Sequence, residues 1–86
     1  MLALDCEMVG VGSSGLDSKL AHVCVVNTSL NPVYSSYCKP SVPVTDYRTK
    51  YSGVTAKDLE GAPPLERVRR EVLQLQVTSY KLHVTR

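Results

Sequence analysis

The opening segment of the chain carries two acidic residues inside an otherwise apolar run, LALDCEMVG. Such a run predicts a buried strand. Side chains alternate along a strand, so Asp5 and Glu7 share one face, and Leu4, Cys6 and Met8 face the other way into a core. Two neighbouring carboxylates repel each other unless a cation lies between them or one of them is protonated. Oxygen ligands on a rigid backbone suit Mg²⁺ or Mn²⁺, and the strand therefore predicts half of a metal site.

The length and composition limit the chain to one small domain. A chain of 86 residues buries only about 60–65% of its unfolded surface, and without Phe or Trp its core must rest on Val, Leu and Tyr. The net charge of +2 is too small to indicate a nucleic-acid-binding protein. Residues 1–63 hold five basic and six acidic residues, whereas residues 64–86 hold five basic and two acidic ones. An acidic pocket beside a basic flank suits a metal-dependent enzyme acting on a polyanion, but a solvated helix face explains the flank equally well.

The cysteines indicate neither a disulfide framework nor a zinc site. Cys6, Cys24 and Cys38 are odd in number and lack CxxC spacing, so we expect buried thiols in a reducing compartment. No signal peptide, long apolar stretch or lipidation motif is present. The sequence therefore predicts a soluble intracellular protein that does not enter a membrane.

Two further apolar segments predict strands at residues 20–26 and 33–38. Strands joined by such short turns form an antiparallel meander, since parallel neighbours need a long crossover. We expect residues 39–54 to be irregular, because Pro40 and Pro43 exclude a central strand.

The loop after the first strand matches the dinucleotide-binding pattern GxGxxG at residues 10–15. That pattern binds a pyrophosphate only when its last glycine opens a helix. Here a second apolar strand begins at Leu20, which leaves no room for the helix. The segment therefore predicts a flexible hairpin loop.

Two helices are predicted in the second half of the chain. Thr55 suits the N-cap of a short helix, with Asp58 three residues later and Gly61 to end it. A longer helix begins at Pro64, a residue that suits the first turn. Beyond Gln76 a weak alternation of apolar and polar residues indicates another strand. The apolar face of the longer helix, at positions i, i+3, i+7 and i+10, consists of Leu65, Val68, Val72 and Leu75.

Four stretches of the chain together resemble one family. They are ALDCEMVG at residues 3–10, KP at residues 39–40, VTDYRT at residues 44–49 and SGVT at residues 52–55. In this order and spacing they are similar to the DEDD-type exonucleases of the RNA exonuclease 4 and interferon-stimulated exonuclease group. The resemblance implies an α/β, ribonuclease H-like fold, of which this chain holds the N-terminal three-stranded antiparallel meander and a helix, an incomplete domain.

The resemblance also implies a function for single residues. In that family two divalent ions, Mg²⁺ or Mn²⁺, stabilise the attacking hydroxide and the leaving oxygen of a phosphodiester. Carried over to this chain, Asp5 would bridge both ions and Glu7 would bind the one that activates water. Met8 would pack against the terminal nucleotide. Arg48 would approach its ribose or phosphate, which a planar guanidinium suits.

The implied activity is metal-dependent 3′–5′ exonucleolysis of single-stranded RNA, with DNA as a second candidate, releasing nucleoside 5′-monophosphates. The implied compartment is the nucleus, the nucleolus or the cytoplasm. The family register ends near Leu75, so we assign residues 1–75 to the N-terminal part of an exonuclease domain. We assign residues 76–86 to a divergent tail from truncation or alternative splicing. In that family four acids from three separated motifs bind the ions, and a histidine serves as general base. The second and third motifs are not found in this sequence, and we expect the chain to be inactive alone.

Other interpretations of the same residues remain open. The chain could be a non-catalytic nucleic-acid-binding or regulatory fragment that uses Arg48 and the basic helix. Arg48 could equally be a loop cation paired with Asp46 or Asp58. The strand that lies next to the first strand in the family is missing, and its loss would leave an open sheet edge unless residues 77–84 replace it.

Overall fold

The structure, a computed structural model, describes residues 2–78 and 82–84, with side-chain surroundings given up to residue 75. Strands and helices alternate with short connections in an α/β arrangement. The elements are β1 (Leu2–Val11), β2 (Asp17–Val26), β3 (Pro32–Tyr37), β4 (Val44–Asp46), α1 (Thr49–Ser52), a 3₁₀ turn (Lys57–Leu59), α2 (Leu65–Thr78) and β5 (Leu82–Val84).

The sheet is built around β1. Strands β1, β2 and β3 form the predicted antiparallel meander, so that prediction is confirmed. On the other edge of β1, β4 pairs antiparallel with Gly10 and Val11, and β5 pairs parallel with Leu2–Leu4. The C-terminal segment therefore supplies a short neighbour for β1, which is the replacement that the sequence left open. Because α2 continues to Thr78, however, this strand begins later than the alternation after Gln76 indicated.

The prediction that residues 39–54 are irregular is wrong at two places. Strand β4 forms directly after Pro43, which is possible because β4 lies at an edge, where the ladder can tolerate a neighbouring proline. Helix α1 is a single turn whose first and last side chains bond to backbone carbonyls of the flanking residues. The Thr49 hydroxyl donates to the Val54 carbonyl at 2.7 Å, and the Ser52 hydroxyl donates to the Tyr47 carbonyl at 2.9 Å.

The GxGxxG segment is the β1–β2 hairpin loop, as predicted. Its tight turn uses left-handed glycines, with φ of 83° at Gly12 and 71° at Gly15, a backbone region that only glycine enters at no cost. The Gly15 amide donates to the Gly12 carbonyl at 3.1 Å. From the loop the chain enters β2 directly, so no helix follows to bind a pyrophosphate.

The short helix predicted to start at Thr55 is a 3₁₀ turn whose N-cap is Ala56, one residue later than predicted. Thr55 and Asp58 nevertheless make the reciprocal contacts of a capping box. The Asp58 carboxylate accepts from the Thr55 amide at 2.9 Å, and the Asp58 amide approaches the Thr55 hydroxyl at 3.4 Å. Gly61, with φ of 69°, turns the chain out of the short 3₁₀ segment toward α2. Among the described residues no helix is long and apolar enough to cross a membrane.

Two apolar clusters cover opposite faces of the sheet. The helix-side cluster, which includes Leu2, Val23, Val25 and Val68, packs with Leu4 and Cys6 of β1 between the sheet and α2. The loop-side cluster is built from Val9, Ala21, Val54 and Leu59. A bulge in β2, where Glu7 pairs with His22 but Met8 pairs with Leu20, skips Ala21 and reverses the alternation of β2. Both clusters rest mainly on valine and leucine, as expected for a chain without Phe or Trp.

Helix α2 is also tied to β3 by a polar contact. The Tyr34 hydroxyl donates to a Glu71 carboxylate oxygen at 2.7 Å, and Arg67 Nε approaches the other oxygen at 3.3 Å. The Tyr34 hydrogen bond, assisted by Arg67, holds the pKa of Glu71 below its ordinary range. Burial, followed by the contact with Glu71, raises the pKa of Tyr34 above its ordinary value near 10.

Removing the hydroxyl with Tyr34→Phe should change how stability depends on pH. A carboxylate with a lowered folded-state pKa stabilises the fold above its unfolded pKa of about 4.3, and that stabilisation is lost as the pH falls through the folded pKa. We expect Tyr34→Phe to unfold at lower urea than the wild type at pH 7 and the gap to narrow on acidification below about pH 4.3. Urea midpoints measured by circular dichroism from pH 7 to pH 3 would check this. A gap independent of pH would contradict it.

Candidate metal site

The two acidic side chains lie in the middle of β1, on the face away from α2. Asp5 pairs with Cys24 and Glu7 pairs with His22 across the β1–β2 ladder. Asp5 is exposed and Glu7 is half-buried. Residues two apart on one strand have Cα atoms about 6.5–7 Å apart and point to the same side. The structure therefore brings together the pair that the sequence predicted as metal ligands.

The sheet holds this pair on a firm backbone. On one side of the acids, Val9 is fully buried in the loop-side cluster with Val54 and Leu59. On the opposite face, Leu4 and Cys6 are packed in the helix-side cluster. Strand β1 is therefore held by packing on both faces of the sheet and by its hydrogen bonds to β2. A site that needs its ligands held within a fraction of an ångström gains from such support.

The donor set fits a hard divalent cation. Mg²⁺ is commonly bound through one or two carboxylates, with water and substrate phosphates completing its shell, and Asp5 and Glu7 offer two carboxylates that solvent can reach. Over the part of the chain that the structure describes, no three His, Cys, Asp or Glu side chains are grouped to hold a metal ion. The role of Asp5 and Glu7 as ligands of half a metal site stays a prediction.

Met8 does not lie beside the acids. It is half-buried and pairs with Leu20, which packs in the helix-side cluster. Alternation along β1 therefore places Met8 on the opposite side of the sheet from Asp5 and Glu7. This agrees with its predicted orientation toward the core, and its contact with a terminal nucleotide stays a prediction.

Arg48 lies at the far end of β1, where it fastens the hairpin loop. Its guanidinium donates to the Ser18 hydroxyl at 2.8 Å and to the carbonyls of Gly15 at 3.1 Å and Leu16 at 3.4 Å. Its own amide donates to the Asp46 carboxylate at 2.9 Å, in a left-handed conformation with φ of 51°. Asp46 thus accepts a hydrogen bond from the Arg48 backbone amide, whereas the Arg48 guanidinium binds the hairpin loop. Its role at a ribose or phosphate stays a prediction.

Replacing Arg48 with lysine should destabilise the protein even when no nucleic acid is present. Lysine keeps the charge but not the planar fork that reaches Ser18 and two carbonyls together. Hydrogen bonds from charged groups contribute about 1.5–3 kcal/mol when both partners are buried, and for this half-buried side chain we expect a loss of about 1 kcal/mol. Urea unfolding of Arg48→Lys would measure it, with Lys50→Arg on the exposed side of α1 as the control. Equal midpoints for wild type and Arg48→Lys would contradict a structural role.

Sequence patterns did not indicate the aromatic pair that lies beside the acids. The rings of His22 and Tyr37 meet edge to face with centroids 4.8 Å apart, and His22 Nε2 lies 3.1 Å from the Ser35 hydroxyl. A histidine on a strand is most simply a satisfied or exposed one, and His22 has these two partners in the structure. Only the register of β2 with both neighbouring strands, shifted by the bulge, reveals that it stands between Glu7 and Tyr37.

Comparison with known proteins places the chain in a family. A model of the exonuclease family RNase_T matches residues 2–83. RNA exonuclease 4 of Mycosarcoma maydis is 51% identical over 74 residues, which is 86% of this chain and 20% of that protein. RNA exonuclease 4 of Homo sapiens is 50% identical over 74 residues, which is 86% of this chain and 18% of that protein. The chain thus spans about a fifth of the length of these relatives.

Solved structures agree on the fold. A full-length 3′-exonuclease superposes with a TM-score of 0.65 at 18% identity, covering 96% of this chain and 43% of that one. A second 3′-exonuclease, from work on 3′-end-specific recognition of histone mRNA stem-loop, gives a TM-score of 0.61 at 14% identity, covering 96% and 34%. The predicted ribonuclease H-like architecture is therefore confirmed for the part that this chain contains. The sequence and the fold together show that the chain belongs to the exonuclease family and is similar, over most of its length, to RNA exonuclease 4.

Proposed function

We propose that this chain carries the first part of the metal site of a 3′–5′ exonuclease that hydrolyses single-stranded RNA to nucleoside 5′-monophosphates. The observation that carries the proposal is the position of Asp5 and Glu7, two residues apart on one face of the strand at the centre of the sheet. Similarity to RNA exonuclease 4 supports RNA as the substrate, and DNA is a second candidate.

The residues of this chain would perform binding and positioning. Asp5 and Glu7 would hold Mg²⁺ or Mn²⁺, and ions bound there would supply the electrostatic stabilisation of the phosphodiester and its attacking water. In the arrangement implied by the family, Asp5 would share its carboxylate between two ions and Glu7 would serve one. The buried Val9 and the packed Leu4 would hold the β1 backbone in place when cations and phosphates bind at the site.

A metal titration followed by NMR tests the site directly. We expect Mg²⁺ added to the ¹⁵N-labelled chain to shift amide signals of residues 4–7 and of their β2 partners at residues 22–25, which face them in the ladder. Asp5→Asn should weaken this binding at least about tenfold, since it removes one of two charged ligands. Asp17→Asn, which changes an exposed carboxylate at the start of β2, should behave as the wild type. Identical titrations of wild type and Asp5→Asn would refute the site.

We also propose that the chain alone lacks exonuclease activity. The family implies four acids and a histidine base, and the described residues group only two of these acids. Incubation of 5′-labelled RNA with Mg²⁺ should leave it intact. Ladder-like shortening that Asp5→Asn abolishes would overturn the inactivity while supporting the enzyme class.

A non-catalytic binding fragment is the second candidate, favoured by the basic face of α2. Arg67 is partly neutralised by Glu71, whereas Arg69 and Arg70 are exposed. RNA binding that weakens with salt and survives Asp5→Asn with Glu7→Gln would favour this function over catalysis. For either function the family resemblance suggests the nucleus, nucleolus or cytoplasm as the compartment.

A further inference from the structure

The acid pair continues into a row of side chains that crosses three strands. Glu7 of β1 is the ladder partner of His22 of β2, and His22 is the partner of Tyr37 of β3. Directly paired residues project to the same face of a sheet, and neighbouring strands lie about 4.8 Å apart. The row therefore leads from a carboxylate to an aromatic ring over about 10 Å. A parallel row runs from Asp5 through Cys24 to Ser35.

The two rings of this row are held in place and face outward. His22 is fixed between the Ser35 hydroxyl at 3.1 Å and the Tyr37 ring, whose centroid is 4.8 Å away. In an edge-to-face pair the edge of one ring meets one face of the other, and His22 itself is half-buried. Tyr37 is 37% exposed and Ser35 is exposed. Helix α2 packs on the opposite face, and the loop-side cluster lies on this face around Val9 and Ala21.

We propose that His22 and Tyr37 form a stacking surface for a base of single-stranded RNA upstream of the 3′ end bound at Asp5 and Glu7. Aromatic rings bind successive bases of single strands because every base has a π-face. The surface is continuous with the acid pair, so a strand whose end reaches the carboxylates crosses it. Nucleotides in a helical strand rise about 3.4 Å each, and the 10 Å length of the row therefore places the rings two to three nucleotides upstream. This inference deepens the proposed function and rests on it for the position of the 3′ end.

A cross-strand ring pair can also exist only to stabilise a sheet, and the test must separate these roles. The probe is a seven-nucleotide oligoadenylate bound by the 86-residue chain in the presence of Mg²⁺, which offsets the repulsion between the carboxylates and the phosphates at the 3′ end. It is compared with versions that carry one abasic site at each of the four 3′-terminal positions. We expect the intact RNA to shift the ring signals of His22 and Tyr37 upfield in ¹H–¹³C NMR spectra. One abasic site, at the third or fourth position from the 3′ end, should weaken binding about tenfold, the effect of losing one stacked base.

Protein variants complete the cycle. Tyr37→Leu should weaken binding of intact RNA about tenfold. In this variant the abasic site that weakens binding to the wild type should cause almost no further loss of affinity. Tyr37→Trp should restore binding, and Tyr51→Leu, which removes an 81% exposed tyrosine of α1, should bind as the wild type. The abasic series uses the unaltered protein, so it remains decisive even if Tyr37→Leu folds poorly. Equal affinity for intact and abasic RNA, or no RNA binding, would overturn the inference.

The metal titration keeps the two proposals apart. Mg²⁺ binding that depends on Asp5, combined with RNA binding indifferent to bases and to Tyr37, would leave the proposed function standing and overturn the stacking surface. Base-dependent binding through Tyr37 without any Mg²⁺ binding at Asp5 would support the surface and remove its link to the exonuclease chemistry.

Discussion

Replacing Gly10 with alanine is expected to lower the free energy of unfolding by about 3 kcal/mol, at the upper end of the usual cost of overpacking. A methyl group on Gly10 would overlap the carbonyl oxygen of Gly15 and lie 2.9 Å from its carbonyl carbon. Both atoms belong to backbone, and the Arg48 guanidinium that holds the loop lies only 3.2 Å away. Because the two nearest atoms are backbone atoms, the overlap cannot be relieved by rotating a side chain, and the loop backbone would have to move.

Such a loss would matter because the whole domain is small. At 0.05–0.15 kcal/mol per residue, 86 residues give a total stability of roughly 4–13 kcal/mol. Urea unfolding followed by circular dichroism would measure the change. Gly61→Ala is the matched control, since nothing lies within 4 Å of the added methyl and only its left-handed φ of 69° resists it. That control should cost about 1–2 kcal/mol, and a Gly10→Ala variant no less stable than Gly61→Ala would contradict the steric argument.

Leu59→Ala should have a comparable effect for a different reason. Leu59 is 3% exposed and closes the loop-side cluster over Val9 and Val54. Truncating a buried leucine loses transfer free energy and leaves a cavity, which together cost about 2–4 kcal/mol. Because this cluster lies beside Glu7 on the acid face, we also expect weaker Mg²⁺ binding at temperatures where the variant begins to unfold.

The control for this truncation is Leu16→Ala in the hairpin loop. Leu16 is 80% exposed, and exposed substitutions usually change stability by less than about 0.5 kcal/mol. Thermal and urea unfolding of both variants would give the comparison. Equal losses for Leu59→Ala and Leu16→Ala would show that the loop-side cluster contributes little to the fold.

Gly10→Ala and Leu59→Ala both disturb contacts with residues 39–54. The structure of this segment is the part that sequence patterns predict least well. That segment is expected to be irregular, yet β4 and α1 lie within it. Its order comes from contacts distant in sequence, such as Arg48 with Ser18 and Gly15. Local propensity does not take these long-range contacts into account. Pro40 and Pro43 moreover argue against a strand, although an edge strand forms beside them.

The amino-acid sequence by itself determined the elements whose cause is local. The apolar run at residues 2–10 specified β1. The side-chain period of two in a strand put Asp5 and Glu7 on one face. The apolar spacing from Leu65 onward specified α2 through the helical period. Short turns made the first three strands antiparallel. The candidate metal ligands therefore follow from the amino-acid sequence alone.

The tertiary structure decided what depends on register and long-range contact. The skipped Ala21 reverses the alternation of β2. Together with the register of β2 against β3, it places His22 between Glu7 and Tyr37. The tertiary structure also decided that β5 lies beside Leu2–Leu4, and that the Arg48 guanidinium binds the hairpin loop. A bulge inserts one residue into a strand, and every side chain after it then points to the other face of the sheet. The local sequence pattern does not show where such an insertion occurs.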